Sequence, residues 1–231
     1  VIESQEVKHL ELSPERKIVS TEKGTFETRA LILASGATPK RLGVEGEAPL
    51  TGKGISYCAT CDGPCYRDQE VALVGGGDTA VEEAIFLTRF AAKVHLIHRR
   101  DELRATKLLR ERVMAQEKVH FVWDSVVTRI AGETGVTGVD LKNVKTGETF
   151  YLPVDGVFIF IGYNPNNELV DGLLAQDDSG FVVTDNDLQA SVPGVFAAGD
   201  IRSKILRQVA TAVGEGATAL FAAERYLESL K

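Results

Sequence analysis

Methionine is nearly absent: the one methionine in 231 residues is Met114, and the chain opens on Val1. Position 1 is therefore read as something other than an unprocessed translation start, with sequence expected upstream of it. Histidine is scarce and scattered, at His9, His95, His98 and His120, with no H-x-x-x-H pair to hold a metal. Three cysteines, an odd number bunched at 58, 61 and 65, exclude a secreted disulfide framework and point to one local site. No apolar run approaches the ~20 residues of a membrane span; the longest, such as 157–162, are strand-sized. Positive charge is in deficit. A net charge of −7 leaves no broad surface to neutralise phosphates, which argues against a nucleic-acid partner. Internal repeats and low-complexity tracts are lacking as well.

What is there is an ordinary globular balance, 44% hydrophobic and 26% charged, long enough for one large domain or two ordinary ones. Residues 6–12 and 17–21 alternate as strands, with a turn at Lys23-Gly24, and 30–34 is a buried strand ending in Ser35-Gly36. Residues 39–54, rich in Gly and Pro, read as a linker. From Glu70 the pattern becomes strand (71–74), glycines, helix (79–90), strand (94–97), helix (102–116). A β-meander follows at 121–130, 136–143 and 149–152, then a buried strand at 157–161. A short strand at 195–198 ends in Gly199-Asp200, and 208–230 is an Ala-rich helix interrupted by Gly214 and Gly216.

Gly75-Gly76-Gly77-Asp78-Thr79-Ala80 fits G-x-G-x-x-A between a strand and a helix, the context a dinucleotide fingerprint requires. Gly75 permits the tight turn, Gly77 keeps side chains away from the pyrophosphate, and Ala80 lets helix and strand approach. The exposed N–H groups at the helix start then hold the phosphates. An NAD site ends the next strand with Asp or Glu, which binds the ribose 2′-hydroxyl. Here it ends in His98-Arg99-Arg100, with Arg104 a turn further on. Guanidinium groups there suit the 2′-phosphate of NADP. The plainer reading is a solvated basic turn, since Asp101 and Glu102 sit beside it.

Cys58-Ala59-Thr60-Cys61-Asp62 is a C-x-x-C, a spacing that permits a small disulfide ring and thiol–disulfide exchange. Asp62, beside the second thiol, is placed to move a proton. Two other readings stand beside it: zinc held by Cys58, Cys61, Cys65 and a distant histidine, and cysteines packed in a core. Cys65 is expected to be a small apolar filler, with a resolving or regulatory thiol as the other reading.

These residues, in this order, resemble the low-molecular-weight thioredoxin reductases among the pyridine nucleotide–disulfide oxidoreductases. The resemblance rests on Ala34-Ser35-Gly36-Ala37, Cys58-Ala59-Thr60-Cys61-Asp62-Gly63, Gly75–Ala80, His98-Arg99-Arg100 with Arg104, Gly194 to Asp200, and Arg207-Gln208. It covers nearly the whole chain. It implies an α/β, two-domain FAD/NAD(P)-binding fold, Rossmann-like and three-layered. An NADPH domain with the redox pair would span 41–158, and a discontinuous FAD domain 1–40 plus 159–231. It implies NADPH at Gly75, Gly76, Gly77, Asp78, Thr79, Ala80, His98, Arg99, Arg100 and Arg104. FAD would lie at Gly36, Gly199, Asp200, Arg207, Gln208 and Val209, with no metal. Cys61 would face the flavin, Cys58 would attack a thioredoxin-like partner, and Asp62 would carry the proton. The loops near 39–54 and 162–165 would serve as hinges, and the protein would be a cytoplasmic homodimer. The chain departs from the family in one respect: the N-terminal FAD-binding βαβ half, with its own glycine loop, is missing. Weak or no FAD binding is expected, with 31–33 and 195–197 left without neighbours. The other readings are the flavoprotein component of an alkyl hydroperoxide reductase, a flavin-free NADPH-binding module, and a zinc-stabilised domain.

Overall fold

The computed structural model describes residues 4–231. The chain divides into two units: Pro39–Gly162, and a second made of Tyr163–Lys231 with the described residues up to Thr38. The expected boundaries were 40/41 and 158/159; the divisions fall at 38/39 and 162/163.

In Pro39–Gly162 a five-stranded parallel sheet runs in the order Ile55–Ser56, Gly156–Phe160, Glu70–Gly75, Lys93–Ile97, Val119–Val122. Its central strands are continuous apolar runs because both faces are covered. Side chains alternate between the faces. Val71, Leu73, Val94, Leu96, Phe158 and Phe160 join one core, shared with the helices Asp78–Leu87 and Lys107–Met114. Ala72, Val74, Ile97, Val157 and Ile159 join the other, shared with the antiparallel meander Ser125–Gly132, Val136–Asn143, Thr149–Pro153. Three layers result: helices, parallel sheet, meander. Strand order reverses at Glu70–Gly75, with the next strand in sequence on one side and Gly156–Phe160 on the other. That makes the carboxyl ends of these strands the switch point where open α/β sheets bind ligands.

Three expectations change here. The predicted strand 121–130 is two strands in different sheets. Val119–Val122 closes the parallel sheet and Ser125–Gly132 begins the meander. The chain turns at Asp124 (φ 51°), whose carboxylate meets Lys145 Nζ at 3.1 Å. The predicted helix 102–116 starts only at Lys107. The residues before it are drawn onto the glycine loop, with Leu103 and Ala105 buried and the N–H groups of Arg104 and Ala105 both donating to Gly76 O. The predicted linker 39–54 is packed structure. It holds the short helix Glu47–Leu50, and Glu47 and Leu50 are almost wholly buried. A Cβ on Gly46 would strike Ile130 O.

The second unit carries the antiparallel sheet Val7–Leu12, Lys17–Thr21, Gly24–Thr28, and a parallel pair, Leu31–Leu33 with Val195–Ala197. The expectation that this pair lacks neighbours fails for Val195–Ala197, which is fully buried; in Leu31–Leu33 only Ile32 is exposed. The helix Val209–Ser229 is unbroken at Gly214 and Gly216, contrary to expectation. Its Ala219 and Ala223 pack against Phe196 and Ala198. Small residues on that face let helix and strand come close, which offsets the low helix propensity of two glycines. Among the described residues no helix is long and apolar enough to cross a membrane.

Candidate functional site

The glycine loop leaves the carboxyl end of Glu70–Gly75. A Cβ on Gly75 would meet Phe160 O at 2.6 Å and Ala80 Cβ at 2.5 Å, so the turn admits no side chain. Gly76 lies against the His98 ring, and Gly77 faces open space. Ala80 is buried under the loop. Asp78 is exposed, and its Oδ1 accepts the N–H of Thr106 at 2.7 Å, tying the loop to the start of the helix Lys107–Met114. Thr79 is the second residue of the helix Asp78–Leu87 behind the loop. Above these residues lies a cleft of ≈ 390 Å³ whose lining includes Gly76, His98, Arg99 and Arg104.

The carboxylates beside the arginines are paired elsewhere. Asp101 is bound by Lys145 (2.7 Å), and Glu102 by Arg110. Arg99, Arg100 and Arg104 are exposed and form no ion pair among the described residues. Their charge is available to a ligand. His98 is buried, and burial lowers its pKa from the usual histidine value, with the fields of Arg104 and Arg100 acting the same way. Backbone hydrogen bonds to Gly75 and Glu102 partly offset this. It therefore supports the loop as a neutral ring. Arg41 also lines the cleft. Sequence reasoning missed it because it lay in a stretch read as linker.

The residues fit a dinucleotide: the side-chain-free turn at Gly75 and Gly76 borders one cleft with the unpaired guanidinium groups of Arg99 and Arg104, and Gly77 beside the turn has open space at its Cβ position.

Cys58 and Cys61 form a disulfide, with Cα atoms 5.3 Å apart. Cys58 caps the short helix Ala59–Asp62; its Sγ accepts the N–H of Cys61 (3.2 Å) and lies 3.3 Å from Thr60 Oγ1. Cys61 and Asp62 are exposed, Cys58 half-buried. The structure adds Ser56, almost wholly buried. Its Oγ donates to Asp62 Oδ2 (2.6 Å) and accepts the N–H of Cys58 (3.0 Å). A serine two residues before a C-x-x-C was visible in the sequence, but nothing marked its partner. Tyr57 donates to Glu47 Oε1 at 2.9 Å; burial first, then Glu47, push its pKa up to about 12. Cys65 is exposed and outside the disulfide, which corrects its reading as an apolar filler. Among the described residues no three of His, Cys, Asp and Glu gather as metal ligands, so the zinc reading has no cluster to rest on.

The remaining candidates lie in the second unit. Gly36, Gly199 and Asp200 border a cleft of ≈ 310 Å³ at the ends of the parallel pair, with Ala212 and Gly216 of the long helix opposite. Gly36 and Gly199 both need glycine, at φ 74° and 78°. Asp200 Oδ1 is buried without a hydrogen bond, although Lys204 Nζ lies 3.3 Å away as an ion pair. Sequence reasoning missed Glu215, which accepts Gly199 N–H (2.7 Å) and pairs with Arg202 (2.9 Å) and Lys204 (3.2 Å). Arg207 stacks on Phe181, 4.0 Å from the ring centroid, and its Nε has no hydrogen bond. Gln208 caps the long helix through a reciprocal bond with Thr211, and Val209 is exposed. Neither Arg207, Gln208 nor Val209 lines the cleft. Of the residues expected at a flavin nucleotide, Gly36, Gly199 and Asp200 are the ones that border this cleft.

A disulfide beside a carboxylate, in the same unit as a cleft over a strand–glycine–helix turn, is the arrangement of a nucleotide-linked disulfide oxidoreductase. The chain belongs to the pyridine nucleotide-disulphide oxidoreductase family, whose sequence profile matches residues 2–216. It is 50% identical over 220 residues to the thioredoxin reductase of Peptoclostridium litorale, covering 93% of this chain and 70% of that one. It is 45% identical over 227 residues to that of Listeria monocytogenes, covering 98% and 71%. Among solved structures, the thioredoxin reductase of Streptococcus pyogenes MGAS5005 superposes with a TM-score of 0.92 at 48% identity. That match covers 97% of this chain and 74% of the other.

Proposed function

We propose that this chain carries the reducing centre of an NADPH-dependent thioredoxin-disulfide reductase, with Cys58–Cys61 as the pair that reduces a thioredoxin-like partner. The observation that carries the reading is the Cys58–Cys61 disulfide with Ser56 and Asp62 hydrogen-bonded behind it. Its likeness to the thioredoxin reductases supports the choice of partner.

Gly75, Gly76 and Gly77 with Thr79 and Ala80 would form the turn under the pyrophosphate, and Asp78 would hold that turn against the following helix. His98 would support the loop from below. Arg99, Arg100 and Arg104 would take the 2′-phosphate and so favour NADPH over NADH. Gly36, Gly199 and Asp200 would hold one edge of FAD, with Arg207, Gln208 and Val209 at the start of the adjoining helix. When bound, the two cofactors supply the electron pair that returns the disulfide to a dithiol.

The chain's own part is the exchange. The Cys58 thiolate attacks one sulfur of the partner disulfide, and the other partner sulfur leaves and takes a proton. Cys61 then attacks Cys58 Sγ, restoring the disulfide and releasing the partner as a dithiol. Two S–S bonds break and two form, and both thiol protons end on the partner. Cys58 suits the first attack because the Cys61 N–H and the Thr60 hydroxyl lie at its sulfur, where they stabilise a thiolate. Asp62, oriented by Ser56, relays the proton. The working protein is read as a cytoplasmic homodimer.

Trapping tests this. Reduced Cys61→Ser chain mixed with oxidised thioredoxin should accumulate a mixed disulfide through Cys58, identified by mass after digestion. Equal trapping by Cys58→Ser, or none by either variant, would overturn the reading.

A further inference from the structure

We infer that Arg41 is a phosphate-binding residue of the nucleotide cleft, acting on the pyrophosphate that NADPH and NADH share. The inference rests on the nucleotide reading above and assigns a residue outside the dinucleotide fingerprint.

Arg41 lines the same cleft as Gly76, Arg99 and Arg104. Its neighbour Lys40 donates its N–H to Gly162 O at 2.9 Å, just past the strand Gly156–Phe160. That strand lies on one side of Glu70–Gly75, and Lys93–Ile97, which leads to Arg99, lies on the other. The glycine loop therefore stands between Arg41 and Arg99. A dinucleotide in such a fold sets its pyrophosphate over the glycine loop and its adenosine ribose at the end of the following strand. Arg99 and Arg104 belong to the ribose end. Arg41 lines the cleft beside the end of the strand Gly156–Phe160, together with Phe160 and Ile161.

The rim that carries Arg41 is built. The N–H groups of Leu42 and Gly43 donate to the buried Glu47 carboxylate at 3.0 and 2.7 Å, and Tyr57 fixes the same carboxylate. A rim already ordered loses little entropy when a ligand arrives. The Arg41 charge is also unspent. It forms no ion pair among the described residues, and nearby Glu45 is taken by Arg129 at 3.3 Å.

Calorimetry on the full chain with NADPH and with NADH tests this, comparing the parent with Arg41→Ala, Arg41→Lys and Arg99→Ala. Loss of Arg41 should weaken both nucleotides by the same factor, about tenfold for a charged hydrogen-bonding contact. Lys should restore part of it, and Arg99→Ala should weaken NADPH alone. If Ala lowers the thermal midpoint, Arg41→Met keeps the stem and replaces it. Affinity lost for NADPH only would make Arg41 a 2′-phosphate reader and overturn the inference, as would unchanged affinity for both. A parent chain that binds neither nucleotide would bring down the nucleotide reading itself.

Discussion

The imidazole of His98 fills the space that a side chain on Gly76 would need: a Cβ there would meet His98 Nδ1 at 2.3 Å. Gly77, one residue on, has nothing within 4 Å of the same position and a φ of −90°, which any residue adopts. The two glycines therefore serve different ends. Gly76→Ala should overpack the loop against a buried ring and cost roughly 1–3 kcal/mol of stability. Gly77→Ala should leave the thermal midpoint unchanged and weaken NADPH binding by filling the cradle. Melting curves and nucleotide titration of both variants check this; a destabilised Gly77→Ala with normal affinity would contradict it.

Burial and the fields of Arg104 and Arg100 lower the pKa of His98. The unfolded chain then takes up a proton near the ordinary histidine value of ~6.5 that the folded chain refuses. The His98 contribution to stability is thus present above that pH and is lost as pH falls through the folded value. In an NMR titration the His98 ring should keep its neutral shift where a free imidazole is half protonated. Arg104→Ala should move the midpoint upward. A His98 midpoint at or above the free value would contradict the placement.

Ser56 holds Asp62 at 2.6 Å while accepting the Cys58 N–H. Asp62→Asn should slow thiol exchange with oxidised thioredoxin on the order of a hundredfold, the scale of a general acid–base contribution. Ser56→Ala should slow it less, because Asp62 keeps its carboxylate and loses only its orientation. Rapid-quench kinetics measures both. Equal rates in parent and Asp62→Asn would remove Asp62 from the proton path.

The chain carries one G-x-G-x-x-A between a strand and a helix, at Gly75–Ala80, since the same spacing at Gly214–Ala219 lies inside the helix Val209–Ser229; Gly36, Gly199 and Asp200 would hold only one edge of a flavin nucleotide. Chain dialysed after addition of excess FAD should therefore retain well below one equivalent, read from the visible spectrum. Stoichiometric flavin would show that these residues suffice alone.

The strand, glycine turn and helix at 70–87 were legible because their signals are local: the apolar run Val71 to Val74, three glycines, and a helical repeat. The C-x-x-C was legible for the same reason. What stayed hidden depends on tertiary partners. Nothing in the residues 121–130 marks the turn at Asp124, which Lys145 helps hold from the meander. Residues 102–106 have helical composition, yet they are held open by Gly76 O. Glu47 looked like a linker residue, but its carboxylate is buried among Leu42, Gly43 and Tyr57. Gly214 and Gly216 suggested a break, and the helix runs through both.

The account stands on Cys58–Cys61 being a reversible redox pair. The direct measurement is equilibration of the full chain in dithiol–disulfide buffers of graded potential, with acid quench, alkylation and mass mapping of all three cysteines. Cys58 and Cys61 should gain and lose alkylation together in one two-electron transition, with Cys65 alkylated throughout. A dominant Cys61–Cys65 bond, or a Cys58–Cys61 bond that does not return after reduction, would contradict the account.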